Sequence, residues 1–255
     1  MMTAEGFVPP GPADFELPPV FGEVTKPMLL LVMSVFIIVG LTYAMARKKE
    51  VVPGRLQFAG EYVYGFVRNS VARDSIGSEH FIKYVPYLFA LFTFVLVNNY
   101  YGIIPLLQYP TMARSAFVYP LAILSWLIYN GVGMAKHGPI GYLKHQSVPP
   151  GMKGPILLLL IPLEFMSNIV VRPFTLALRL FANMFAGHLL LMLFSLGGAY
   201  LIMETGNIWL APVGVLSFVM GLMVSVLEML VMFLQAYVFT LLTAMYIGGA
   251  LAEEH

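Results

Sequence analysis

The sequence predicts an all-α integral membrane protein with about five membrane-embedded helices and one amphipathic interfacial helix, the last two spans forming a long, strongly tilted antiparallel hairpin. Three observations predict it. Of 255 residues, 59% are hydrophobic and 11% charged, with a mean hydropathy of +0.83, whereas soluble domains are nearer half apolar and about a quarter charged. The apolar residues fall in uncharged runs long enough to cross a bilayer. Basic residues gather at alternate ends of successive runs, as the positive-inside rule requires.

Residues 1–26 are Pro-rich and acidic without the basic n-region of a secretory signal, and are expected to remain as an extramembrane tail. Residues 27–46 are an uncharged run of 20, stopped by Arg47, Lys48 and Lys49. That length suffices for a hydrocarbon core of roughly 30 Å, and the basic stop puts its C-terminal end in the cytoplasm and the N-terminus outside. Residues 54–72 place Leu56, Phe58, Tyr62, Phe66 and Val67 near helical spacing, interrupted by Arg55, Gln57, Glu61, Arg68 and Asn69. Charges recur too often for a span, so a helix along the cytoplasmic face or packed on its neighbours is expected.

A transmembrane pair follows over 85–135. Its first member, 85–104, is broken late by Asn98 and Asn99 and closed by Gly102 and Pro105; its second, 115–135, returns to Lys136, His137, Lys144, His145 and Lys153. Those basic residues mark the cytoplasmic side again, and the intervening loop carries only Arg114.

From 155 to 199 and from 211 to 251 the chain is apolar, with a polar turn at Glu204, Thr205, Gly206 and Asn207. A helix of about 40 residues is about 60 Å long, roughly twice the hydrocarbon thickness. Dividing either tract into two spans needs a turn near its middle, yet the middles read Thr175, Leu176, Ala177, Leu178, Arg179 and Met229, Leu230, Val231, Met232, Phe233, which are not turn sequences. The region 155–251 is therefore expected to be a hairpin bent around Pro162 and Pro173, with the C-terminus cytoplasmic. Its tilt would exceed the usual value of about 20°, which suits packing against a curved partner.

Several functions are disfavoured. A net charge of +1 argues against a nucleic-acid surface, and the absence of cysteine removes disulfides, thiolate metal sites and cysteine nucleophiles. No His-Glu-x-x-His metalloprotease motif and no Gly-x-x-x-x-Gly-Lys phosphate loop occurs, and no cofactor or metal is expected.

The chemistry is concentrated in the hairpin. A centrally placed arginine costs roughly 2.5 to 3.5 kcal/mol on insertion scales, so Arg172 and Arg179 need partners or water. At helical pitch Arg172 and Arg179 share a face, Asn183 lies close to it, and His188 points to the opposite side. On the second arm Glu228 and Gln235 share a face. If the turn centres near Asn207 and Ile208, Gln235 stands level with Arg179, and Glu228 with His188. Imidazole and carboxyl at hydrogen-bonding range can pass a proton between them, whereas arginine keeps its proton and acts as a fixed charge. Asn183 and Gln235 also suit interhelical hydrogen bonding, and Arg172 could reach Glu164 as a structural ion pair.

The run Leu176, Ala177, Leu178, Arg179, Leu180, Phe181, Ala182, Asn183, Met184, Phe185, Ala186, Gly187, His188, with Glu228 and the downstream segment from Gln235 to Thr243, closely resembles subunit a of the F-type rotary ATP synthases. The segments 162–173, 99–105 and 252–255 are similar to the family's pattern as well. The resemblance implies a proton-translocating stator subunit, not catalytic alone, that forms two aqueous half-channels against a rotating ring of c subunits. It implies that Arg179 meets the ring carboxylates and prevents a proton short circuit. Asn183, His188, Glu228 and Gln235 would line or support the half-channels, with Glu164, Ser167, Asn168 and Arg172 supporting the route. The implied partners are the c-ring, b-type peripheral stalk subunits, the rest of the ATP synthase and the lipid bilayer, in a bacterial plasma membrane. In some members an acid stands at the position of His188 and a histidine at that of Glu228, so the pair is kept here with its order exchanged. The loop Pro110, Thr111, Met112, Ala113, Arg114 departs from the acidic Asp-Leu-Asn element of many bacterial members. The rival reading is a self-contained secondary transporter or ion channel with Arg179 binding an anion. It calls for an internal repeat with paired broken helices, and no convincing repeat is present.

Overall fold

The computed structural model describes residues 2–3, 6–47, 52–105, 107–147, 157–205 and 209–252. Lys48, Lys49, Lys153 and Pro155, together with Gly206 and Asn207 of the expected hairpin turn, lie outside the described residues. The helices are α1 Lys26–Arg47, α2 Arg55–Phe66, α3 Asp74–Ile76, α4 Val85–Tyr100, α5 Ser115–His137, α6 Pro139–Ser147, α7 Leu157–Met166, α8 Arg172–Met203 and α9 Ala211–Leu251. Two small antiparallel hairpins, β1 Met2–Thr3 with β2 Gly6–Phe7 and β3 Pro19–Phe21 with β4 Val24–Thr25, shape the N-terminal tail.

Among the described residues four stretches are long and apolar enough to cross a membrane: Lys26–Arg47, Ser115–His137, Leu159–Met203 and Ala211–Leu251. The shorter apolar helix Val85–Tyr100 makes five membrane-embedded elements, as the sequence predicts. Only 17% of the most apolar window of Ala211–Leu251 is buried within the protein. Its outward side carries Leu222, Met223, Val226, Leu227 and Leu230, all exposed. An apolar surface of that extent is stable only against lipid or another protein.

Helix α2 lacks buried residues, and burial begins in the π-helical turn Val67–Arg73 with Val67, Val71 and Ala72. The expected amphipathic helix is thus anchored at its C-terminal end and leaves Leu56, Phe58 and Tyr62 on the surface. Helix α4 is shorter than the expected span of 85–104, and its end at Tyr100 corrects the reading of Asn98 and Asn99 as a break. Both asparagines are fully buried and helical. Asn98 donates through Nδ2 to Ser34 Oγ at 3.0 Å and accepts from Thr111 Oγ1 at 2.6 Å, while Asn99 Nδ2 donates to the Met232 carbonyl at 3.2 Å. A buried amide finds its partners here on α1, α9 and the α4–α5 loop, so these residues join helices.

Helix α6 was not expected, because 136–153 reads as a basic loop. Gly138 at φ +72° ends α5 in a conformation that favours glycine, and Pro139 restarts the chain as the first residue of the next helix. Tyr142 then folds back, its hydroxyl donating to Asn130 Oδ1 at 3.0 Å and accepting from Gln146 Nε2 at 2.7 Å.

The first arm of the long hairpin is continuous through Pro162 and Pro173, with a π-helical turn at Ser167–Val171 in place of a break. Pro173 has no N–H to give the ladder, and a widened turn just before it accommodates the missing bond. The arms pack antiparallel. Near the turn they approach backbone to backbone at Gly198 and Gly214: a Cβ at Gly214 would lie 2.9 Å from the Gly198 carbonyl and 2.6 Å from an Ile202 side-chain carbon. Gly214→Val is therefore expected to splay the hairpin and cost about 1–3 kcal/mol. An earlier thermal unfolding transition of the purified protein is the expected result; an unchanged transition contradicts the close approach.

Candidate functional site

The hairpin buries Leu176, Ala177, Leu180, Met184 and His188 on one side of α8. Thr175, Leu178, Arg179, Ala182 and Ala186 lie exposed on the other. Helical pitch thus turns Arg179 outward and His188 inward, and Asn183 sits half-buried between the two faces. Among the described residues Arg179 makes no ion pair or hydrogen bond. Ala182 and Ala186, also exposed, share that face with it.

Glu228 and Gln235 lie on the buried side of α9, 3% and 7% exposed. The hairpin register follows from contacts along its length. Ser217 Oγ donates to the Phe194 carbonyl at 2.8 Å, and Gly187 faces Glu228 so closely that an added Cβ would lie 2.9 Å from Oε1. Seven residues further along α9 and eight back along α8 bring Gln235 and Arg179 to one level, while Glu228 lies beside the residue preceding His188.

Neither carboxyl oxygen of Glu228 nor Nδ1 of His188 has a hydrogen-bond partner among the described residues. Buried polar atoms in that condition mark a strain reservoir, a functional role or a water site. The Gln108 backbone lies close to the imidazole. The ring also meets Phe15 edge-on, with centroids 5.7 Å apart. Gly187→Leu is expected to displace the Glu228 carboxyl and lower the thermal unfolding transition of the purified protein; an unchanged transition contradicts the close approach of Gly187 to Glu228.

A second polar group lies toward the opposite end of α8. Asn168 donates through Nδ2 to the Gln146 carbonyl at 2.7 Å and to Glu164 Oε2 at 3.5 Å, leaving its own buried Oδ1 unpartnered. Ser167 is half-buried in the π turn. Arg172 does not pair with Glu164, which corrects the ion-pair expectation. Its guanidinium sits 5.1 Å from the centre of the Tyr246 ring. The extra residue of the π turn alters the relation of Glu164 to Arg172, and the aromatic face of α9 provides the cation's partner. Burial raises the Tyr142 hydroxyl above the ordinary phenol range, opposed by the Gln146 hydrogen bond and the Arg172 charge.

Phe15 and Gln108 beside His188, and Gly187 against Glu228, were not legible as site residues from spacing. Phe15 and Gln108 are remote in sequence from the hairpin, and only their contacts reveal them.

The chain matches the family model described as ATP synthase A chain over residues 28–248. It is 59% identical over 269 residues to a Nocardioides protein named ATP synthase subunit a, covering 99% of this chain and 97% of that one. It is similarly related to proteins of the same name from Pseudarthrobacter chlorophenolicus, 48% identical over 98% of this chain and 95% of the relative, and from Streptomyces lividans, 41% identical over 98% and 90%.

Proposed function

Because the chain belongs to the ATP synthase A chain family, whose members are membrane subunits of the ATP synthase, we propose that Arg179 is the fixed charge that a rotating ring of carboxylates passes during proton translocation. The protein is a multi-pass, proton-translocating stator subunit of the plasma membrane, and nucleotide chemistry belongs to the rest of the complex. What carries the proposal is the placement of Arg179: outward, flanked by alanines, and without an anion among the described residues.

A proton taken up from the outer side reaches the level of His188 and Glu228 and is handed to a ring carboxylate, which becomes neutral and moves into lipid. After most of a revolution the carboxylate meets the inner half-channel and discharges near Glu164, Ser167 and Asn168. On returning to Arg179 it is held ionised by the guanidinium, because a nearby opposite charge favours the charged form. No proton therefore passes directly between the half-channels. The driving term is about 2.3 kcal/mol per charge per ~100 mV. Gln235, level with Arg179, and Asn183 at the edge of its face line the route beside the guanidinium. Arg172, held over Tyr246, is a support for the inner route. The N-terminus lies outside and the C-terminus in the cytoplasm, with b-type stalk subunits holding the chain against rotation.

Cross-linking tests the reading. The chain has no cysteine, so Asn183→Cys, paired with a cysteine beside the carboxylate of the ring subunit, gives a defined disulfide. Bond formation between the chain and the ring in the assembled complex is expected. Reaction of Cys at 183 with lipid-borne probes alone contradicts it.

A further inference from the structure

The N-terminal tail packs on the hairpin at the level of the unpartnered imidazole. The four-residue turn Pro12–Phe15 buries a single side chain, Phe15, which is 5% exposed. Its ring lies 4.7 Å from Phe185, 5.7 Å from His188 and 6.3 Å from Tyr109, centroid to centroid. The Tyr109 hydroxyl donates to the Phe15 carbonyl at 3.0 Å. Asp14 Oδ2 accepts from the Gly11 amide at 2.7 Å and closes the turn on itself. Two further ties hold the tail in place: Phe7 packs on Tyr200 with ring centroids 5.5 Å apart, and Lys26 Nζ donates to the Leu107 carbonyl at 2.7 Å.

We propose that Phe15 is the positioning residue that closes the outer mouth of the His188 and Glu228 station, and that local release of the turn Pro12–Phe15 admits water to it. The inference rests on the proton-uptake role proposed for that station. An aromatic ring against the imidazole displaces the water that would otherwise solvate it. Within the turn only the Phe15 side chain is buried, and the Tyr109 hydroxyl bond to its carbonyl is the further tie, while Pro12, Ala13 and Glu16 are exposed, so few contacts break when the turn lifts. Segments with few buried contacts open locally at far lower cost than global unfolding. When the turn is seated, the Phe15 ring covers the His188 imidazole. When it lifts, water reaches them from the tail side.

Two measurements on the assembled ATP synthase test this. In the first, His188→Cys is labelled from the outer side with a membrane-impermeant charged thiosulfonate, and the modified peptide is quantified by mass. Phe15→Ala is expected to speed labelling by about tenfold or more, with Phe15→Leu restoring most of the protection. Equal rates in all three overturn the proposal. This readout does not require position 188 to carry protons, so it separates failure of the closure from failure of the proton-path reading. In the second, Tyr109→Phe removes the hydroxyl tie to the Phe15 carbonyl and leaves the Phe15 ring in place. Labelling of His188→Cys is expected to speed up by about threefold or more. An unchanged rate overturns the proposal even where Phe15→Ala does not assemble.

Discussion

Arg179→Ala is expected to lower coupled ATP synthesis by roughly a hundredfold or more, the scale on which a preorganised charge at a reacting centre is felt, while passive proton flux through the membrane sector persists or rises. In the proposed mechanism the guanidinium keeps each arriving ring carboxylate ionised and so separates the two aqueous routes. Without it a protonated carboxyl can pass between the half-channels, and the gradient drains without turning the ring in a fixed direction. Arg179→Lys keeps the charge but loses the planar fork that matches a carboxylate, so it is expected to recover part of the synthesis rate. Membrane vesicles assayed in parallel for ATP synthesis and for dye-reported proton leak check both halves. Normal coupled synthesis in Arg179→Ala contradicts the assignment.

Exchanging the buried pair, His188→Glu with Glu228→His, is expected to restore more transport than the two single defects predict. Both groups sit at one level of the hairpin, each with an unpartnered polar atom among the described residues. Each single change creates a like pair: two carboxyls in one variant, two imidazoles in the other. The double change returns one of each with positions exchanged. Residues that share one buried site couple by about 0.5–3 kcal/mol, and that is the departure from additivity expected in the proton-transport rates. Strict additivity would show that the two act separately. Assembly of each variant is checked by recovery of the chain in the purified complex, so that a folding defect is not read as a transport defect.

The membrane-embedded helices were legible in the sequence because apolar run length is set by bilayer thickness, and α1 and α5 occupy 26–47 and 115–137; the short helix α6, outside those runs, was not. The inward and outward faces of α8 were legible for a similar reason, since nine positions from Arg179 to His188 amount to two and a half turns. Three features were not. Asn98 and Asn99 read as a break because sequence cannot show that Ser34, Thr111 and the Met232 carbonyl await them. Arg172 has no acidic neighbour at helical spacing, and its aromatic partner Tyr246 lies on another helix. The tail over residues 12–15 carries one apolar side chain among polar and proline residues, too weak a pattern to announce a docking contact.

The central claim is that a guanidinium inside the membrane is balanced by acids belonging to a moving partner. Imaging the assembled membrane sector at side-chain resolution tests it most directly. The account predicts the Arg179 guanidinium within hydrogen-bonding or single-water distance of a ring carboxylate, with no acid of its own chain beside it. Arg179 paired to a carboxylate of its own chain, or turned to lipid away from the ring, would contradict the account.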